Sequence, residues 1–181
     1  MKAVKTKIEG VLIVELDIFE DRRGWFAETH NKKKFEDLGI TADFVQDNHS
    51  FSAGKNTLRG LHLQNKPFTQ AKLVRCIKGS VLDVAVDLRE KSPTYKEWVS
   101  VELSEENKKI LFIPRGFAHG FISLTENVEI QYKTDNYYDK QSERTVRFDD
   151  PEIGIDWGRS DPVLIERDKN APFLKDCDIQ F

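Results

Sequence analysis

Three side chains on three separate strand-like segments could pass a proton among themselves. They are His62 in Leu58-Arg59-Gly60-Leu61-His62-Leu63-Gln64, Lys72 in residues 70–78, and Tyr132 in residues 127–134. Side chains alternate along a strand, so Lys72 shares a face with Val74 and Cys76, Tyr132 with Val128 and Ile130, and His62 with Leu58 and Gly60. If those apolar neighbours are buried, the polar groups point inward with them. An inward ammonium is costly unless it meets an anion or sheds its proton. Imidazole, ammonium and phenol together make a base, a cation and an acid. Taken singly, each has a plainer reading: a core tyrosine, a satisfied strand histidine, a lysine reaching out to water. Only their convergence makes a site. A second segment, Phe112-Ile113-Pro114-Arg115-Gly116-Phe117-Ala118-His119-Gly120-Phe121, sets His119 among apolar residues. His62 and His119 are two of the four histidines in the chain, and both are expected to line one pocket.

The elements that must hold these residues read as a run of strands. Alternation or apolar runs predict strands over 11–17, 24–29, 44–51, 59–64, 70–78, 81–88, 94–103, 109–114, 116–124 and 127–134. From residue 44 onward they recur every 8 to 12 residues or so, the spacing of a β-sandwich or small barrel. No βαβ alternation is present. Asn31 caps a short predicted helix over 32–38, and Gly39 closes it. The triple Lys32-Lys33-Lys34 reads as its solvated face. Residues 135–181 form a turn-rich tail anchored by Trp157, Ile165, Phe173 and Leu174. The expectation is one mainly β domain over 1–181, with a core barrel over about 44–134 and a carboxyl-terminal elaboration over about 135–181.

Composition narrows the classes. At 181 residues, 39% hydrophobic and 33% charged, the chain can bury a core beneath a soluble surface. A net charge of −3 argues against a general nucleic-acid or membrane binder, though a local cluster of cations could still take a small anion. No apolar run reaches the roughly 18 residues of a membrane span, and residues 1–10 lack the apolar core of a secretion signal. Cys76 and Cys177 are far apart and form no CxxC, which suits reduced thiols in the cytoplasm.

Six blocks in register resemble the dTDP-4-dehydrorhamnose 3,5-epimerase family. They are Arg22-Arg23-Gly24-Trp25-Phe26-Ala27-Glu28, Phe44-Val45-Gln46-Asp47-Asn48, Arg59 to Gln64, Pro114 to Phe121, Tyr132-Lys133-Thr134-Asp135-Asn136-Tyr137-Tyr138, and Asp149-Asp150-Pro151. The similarity runs from about Ile8 to Leu174. It implies a cupin-type jelly-roll, a homodimer, no cofactor, and inversion of carbons 3 and 5 of a dTDP-linked 4-keto-6-deoxyhexose on the way to dTDP-rhamnose. In this likeness His62 is the base that removes the proton beside the ketone, and Asp168 orients it, as in the His–Asp pair of a triad. Lys72 steadies the enolate oxygen, and Tyr132 returns a proton to the opposite ring face.

The binding residues follow from the same likeness. Arg23, Arg59 and His119 resemble ligands of the phosphates and sugar, where the arginine fork suits phosphate oxygens. Glu28, Gln46, Asp47 and Asn48 resemble the residues that read thymine and its surroundings. Phe26 or Tyr138 supplies an aromatic face, and Glu143 is a further contact. Arg167 stands where the family often has lysine, so it keeps a cation of different shape. Strict alternation sets Arg59 and His62 on opposite faces, although the family uses both in one site. A bulge at Gly60, action from the strand's end, or a contribution from a second subunit would each reconcile them. Beside a non-catalytic sugar or nucleotide sensor, which has no need for an inward His–Lys–Tyr set, two rival readings share the fold. One is an epimerase acting at a single carbon. The other is a metal-dependent cupin, whose usual His-x-His is here His62-Leu63-Gln64, leaving only His62 and His119 and no metal expected.

Overall fold

Thirteen strands, two short helices and one 3-10 turn account for the regular structure of the computed structural model, which describes residues 1–181. The amino-terminal part supplies β1 (Lys2–Lys5), β2 (Leu12–Glu15), β3 (Phe19–Asp21), β4 (Gly24–Phe26) and α1 (Lys32–Asp37). The central run is β5 (Gln46–Ser52), β6 (Leu58–Gln64), β7 (Lys72–Lys78), β8 (Ser80–Asp87), β9 (Trp98–Ser104), β10 (Ile110–Ile113), β11 (Phe117–Ser123) and β12 (Val128–Thr134). Beyond it lie β13 (Glu143–Thr145), α2 (Glu166–Lys169) and the turn Leu174–Asp176.

The strands form two facing antiparallel sheets, the expected jelly-roll of cupin type. One has the order β1-β2-β10-β7-β12-β5 and the other β13-β6-β11-β8-β9, while β3 and β4 pair only with each other. The central strands of both sheets are covered on both faces. Val74, Ile130, Leu111, Ala85, Phe117 and their neighbours meet between the sheets. Leu58, Leu61, Val84 and Ile122 pack outward under Val146, Trp157 and Leu174 of the tail. Leu73, Ile110 and Phe112 pack outward under Phe35 of α1 and Ile40 just after it. Burial on two faces explains why β8 and β11 read as nearly continuous apolar runs rather than clean alternations.

Several differences from the expected elements have simple causes. Residues 1–10 contain a strand, β1, whose Lys-Ala-Val-Lys sequence suits an exposed edge. The predicted strand over 94–103 starts only at Trp98, because Thr94 is drawn into a turn by the Asp87 carboxylate. The sheets also extend past 44–134, taking in β2 on one side and β13 on the other. In the tail, the buried Asp150 carboxylate accepts the backbone N–H groups of Leu174, at 2.6 Å, and Glu152, at 2.8 Å. The helix behaves as its caps predict: the Asn31 side chain accepts from the Lys34 N–H, and Gly39 follows with φ of +85°.

Candidate active site

One irregularity decides which side chains meet. Between β6 and β11 the register pairs His62 with His119 but Arg59 with Phe121. Three steps along β6 therefore answer two along β11, a bulge centred on Gly60. Gly60 has φ of +119°, and a β-carbon there would lie 2.7 Å from both the Gly120 Cα and the His119 carbonyl oxygen. Only glycine fits. The bulge turns Arg59 and His62 to the same face, settling the conflict that strict alternation posed. It also corrects the expectation that His62 shares a face with Leu58, which points instead into the apolar layer beneath the tail.

Arg59 and His62 both line a cavity of about 420 Å³ at one end of the two sheets, with Gln46, Asn48, Lys72, His119, Tyr132, Tyr138, Glu143 and Arg167. The walls come from opposing sheets. His62 and His119 project from β6 and β11 of the five-stranded sheet, and Lys72 and Tyr132 from β7 and β12 of the six-stranded one. The His62 imidazole and the Tyr132 phenol thus face each other. A larger cavity of about 600 Å³ opens elsewhere, beside Leu88, Arg89 and Arg115. Its two arginines are tied to Asp87 and Asp135, and it holds no imidazole–carboxylate pair.

Each of these groups is held by its neighbours. Asp168 lies on α2, is 1% exposed, and sits with Oδ1 2.9 Å from His62 Nε2, while its Oδ2 accepts the Gly60 N–H at 3.1 Å. Arg167 Nη2 is also 2.9 Å from His62 Nε2, but one ring nitrogen cannot donate to the carboxylate and accept from the guanidinium together. The fixed, buried carboxylate is the stronger claimant, so Nε2 carries the proton and Nδ1 is left free as the basic nitrogen. Burial works against charge on Asp168, yet the His62 ring, the Gly60 N–H and Arg167 hold its pKa below the usual carboxylate range. Burial pushes the Lys72 ammonium down to about 8, with the Asp83 and Glu143 carboxylates opposing. Burial raises the Tyr132 phenol, which keeps its proton at neutral pH and can give it away.

Around the mouth, Arg167 Nη1 donates to Glu143 at 3.0 Å and the Tyr138 hydroxyl donates to the same carboxylate at 3.1 Å. Arg59 is aimed by Ser52 Oγ and the Phe51 carbonyl. Gln64, at the position of the missing cupin histidine, spends its amide on the backbone of Phe68, Tyr137 and Asp139 and so shapes the loop carrying Tyr138. No three His, Cys, Asp or Glu side chains converge as an ion's ligand set.

Four of the sequence-derived binding residues lie outside this cavity. Asp47 points to the opposite face of β5 from Gln46 and Asn48, where it pairs with Lys133 at 2.7 Å. Arg23, Phe26 and Glu28 belong to the separate β3–β4 hairpin and the segment after it. Arg23 is paired with Asp21, Glu28 with Lys34 at 2.6 Å, and Phe26 is 69% exposed. The sequence reading overlooked Asp83, Ser50 and Gln70. Ser50 and Gln70 line the cavity, and the buried Ser50 hydroxyl has no protein partner. Alternation along β5 with Gln46 and Asn48 could have found Ser50, and a lone acid inside Val81-Leu82-Asp83-Val84-Ala85-Val86 could have flagged Asp83.

Known proteins resemble this chain in sequence and in fold. The family model described as dTDP-4-dehydrorhamnose 3,5-epimerase matches residues 5–176. The dTDP-4-dehydrorhamnose 3,5-epimerase of Salmonella typhimurium is 52% identical, covering 96% of this chain and 96% of its own. The crystal structure of the Elizabethkingia anophelis dTDP-4-dehydrorhamnose 3,5-epimerase superposes with a TM-score of 0.92 at 51% identity, covering 97% of each chain. That of the Legionella pneumophila dTDP-6-deoxy-D-glucose-3,5-epimerase, solved with dTDP-4-keto-L-rhamnose, superposes with a TM-score of 0.94 at 43% identity, covering 99% of this chain and 98% of that one. Matched over nearly all its length and through both sheets, the chain belongs to the dTDP-4-dehydrorhamnose 3,5-epimerase family.

Proposed function

We propose that the chain epimerises carbons 3 and 5 of dTDP-4-dehydro-6-deoxy-D-glucose, giving dTDP-4-dehydro-L-rhamnose for dTDP-rhamnose synthesis. The observation that carries this reading is the placement of His62 and Tyr132 on opposed sheets across one cavity, with Lys72 beside them. Inversion needs a proton removed from one ring face and returned to the other. His62, steadied by Asp168, takes the proton beside the carbonyl. Lys72 stabilises the oxygen that gains charge as the enolate forms, an effect worth roughly 3 kcal/mol. Tyr132, held protonated by burial, returns a proton from the opposite wall. Arg59 and Arg167 supply cations for the diphosphate, and Gln46 and Asn48 offer amides to the base. The two free thiols suit a reducing cytoplasm.

The working unit is a homodimer. The β3–β4 hairpin exposes Phe19, Trp25 and Phe26 at 62%, 52% and 69% in the single chain. An apolar hairpin so uncovered is what a second copy would bury. It also carries Arg23 and Phe26, with Glu28 just beyond, so docking would bring these binding residues to the partner's cavity.

NMR of the substrate incubated with enzyme in heavy water tests the chemistry. Deuterium at both carbons is expected. Deuterium at one carbon makes the chain a single-site epimerase, and deuterium at neither overturns the catalytic reading. His62→Asn should abolish exchange while dTDP still binds; a large loss of binding would make His62 a ligand contact instead of the base.

A further inference from the structure

A second buried carboxylate stands behind the cavity wall, and the chemistry described above makes no use of it. Asp83 lies on β8, is wholly buried, and has one hydrogen-bonding partner: His119 Nε2, 2.9 Å from Oδ1 and 3.0 Å from Oδ2. His119 is 7% exposed and lies directly across the ladder from His62. Two imidazoles, each backed by its own buried carboxylate, therefore sit side by side on one wall. A carboxylate with a single N–H donor is under-satisfied and needs positive charge nearby.

We infer that Asp83 is a positioning residue of this site, acting through two neighbours: it fixes the His119 ring by Nε2, and it is the buried counter-charge of the Lys72 ammonium. The first role follows from donor chemistry. The Asp83 carboxylate can only accept, so Nε2 carries hydrogen and Nδ1 is the nitrogen left for the cavity. Burial keeps the ring neutral against the pull of Asp83, so Nδ1 is an acceptor suited to a sugar hydroxyl. The second role follows from what surrounds Lys72. The titratable groups around it are Asp83 on β8, Glu143 on β13, His119 on β11, His62 and Arg59 on β6, Tyr132 on β12, and Arg167 and Asp168 on α2. Three of these are carboxylates. Asp168 is held by His62 and Arg167, and Glu143 is shared with Arg167 and Tyr138 at the mouth, whereas Asp83 has no arginine or lysine bonded to it. Asp83 is therefore the carboxylate left to hold the proton on Lys72 against its burial. Burial pushes the Cys76 thiol up to about 11, and the Asp83 charge adds to the same direction.

The inference rests on the proposed epimerase reading, and the tests separate the two. Proton exchange by the unaltered enzyme tests the reaction. The pH profile of Asp83→Asn tests the inference. In that variant the high-pH limb of kcat should move down by roughly one pH unit, because Lys72 loses its counter-charge. His119→Gln keeps the carboxylate, so its limb should stay where the unaltered enzyme has it, with a rise in KM. Asp83→Glu, which restores charge, should bring the limb back. Equal loss at every pH in Asp83→Asn would make the residue merely structural and overturn the inference. A measurement on the unaltered protein guards against variants that fail to fold. Nitrogen-15 NMR of labelled histidine should find His119 protonated at Nε2 and bare at Nδ1, and the opposite tautomer would overturn the first role.

Discussion

An ammonium that gives up its proton near pH 8 makes a sensitive electrophile, and that sensitivity should be visible in the rate. Lys72 is useful only while charged, so kcat should hold at neutral pH and fall as pH rises through about 8. Lys72→Met should remove the limb along with a hundred- to thousand-fold of activity, on the order of one lost oxyanion donor. Asp168→Asn is expected to cost more, roughly a thousand- to ten-thousand-fold in kcat, since an amide no longer dictates which nitrogen of His62 carries hydrogen. Lys72 and Tyr132 were legible in the sequence because each alternates with apolar neighbours, and the structure keeps their faces as read, whereas the bulge takes His62 off the face it was expected to share with Leu58. Asp83 was not legible. In a run of valines it passes for one polar lapse, and its worth depends on a histidine 36 positions later that only the fold brings within 2.9 Å.

At the scale of single elements, two turns of the backbone govern the rest. The bulge at Gly60 aligns Arg59 with His62, and no alternation rule could place it; only the presence of a glycine hinted at it. Gly60→Ala should disrupt the β6–β11 contact, lower stability by at least about 2 kcal/mol in urea unfolding, and abolish exchange. The turn after β8 is organised by a different device. The buried Asp87 carboxylate collects the side chains of Arg89, at 2.7 and 2.8 Å, Ser92, at 2.6 Å, and Thr94, at 2.7 Å. Burial alone would raise the Asp87 pKa, but these donors hold it down to about 2. A carboxylate depressed in the folded state contributes stability that is complete above its unfolded pKa, near 4, and lost as pH falls through about 2. Asp87→Ala should therefore lower stability by roughly 2–4 kcal/mol at pH 7, and the difference from the parent should shrink in unfolding measured near pH 2. Activity at neutral pH should change far less, because Asp87 does not line the reaction cavity.

The whole molecule decides what a single chain leaves open. Arg23, Phe26 and Glu28 resemble binding residues, yet none lines the cavity of its own chain, and the hairpin carries three of the most exposed aromatic side chains in the protein. Sequence could match these residues to a binding role but not to a subunit, because a likeness along the chain says nothing of which copy's pocket they enter. The proposed homodimer would assign them to the partner, and mixing two variants tests that proposal. His62→Asn loses the base but keeps its hairpin, while a combined Arg23→Ala and Phe26→Ala variant keeps the base but loses the hairpin's contacts. Each alone should show little exchange. Unfolded together in equal amounts and refolded, half of the dimers are hybrids, and in each hybrid one of the two sites has an intact pocket and an intact hairpin. About a quarter of the original activity should then return. Were the hairpin to serve its own chain, every site in the mixture would lack one part or the other, and mixing would restore nothing.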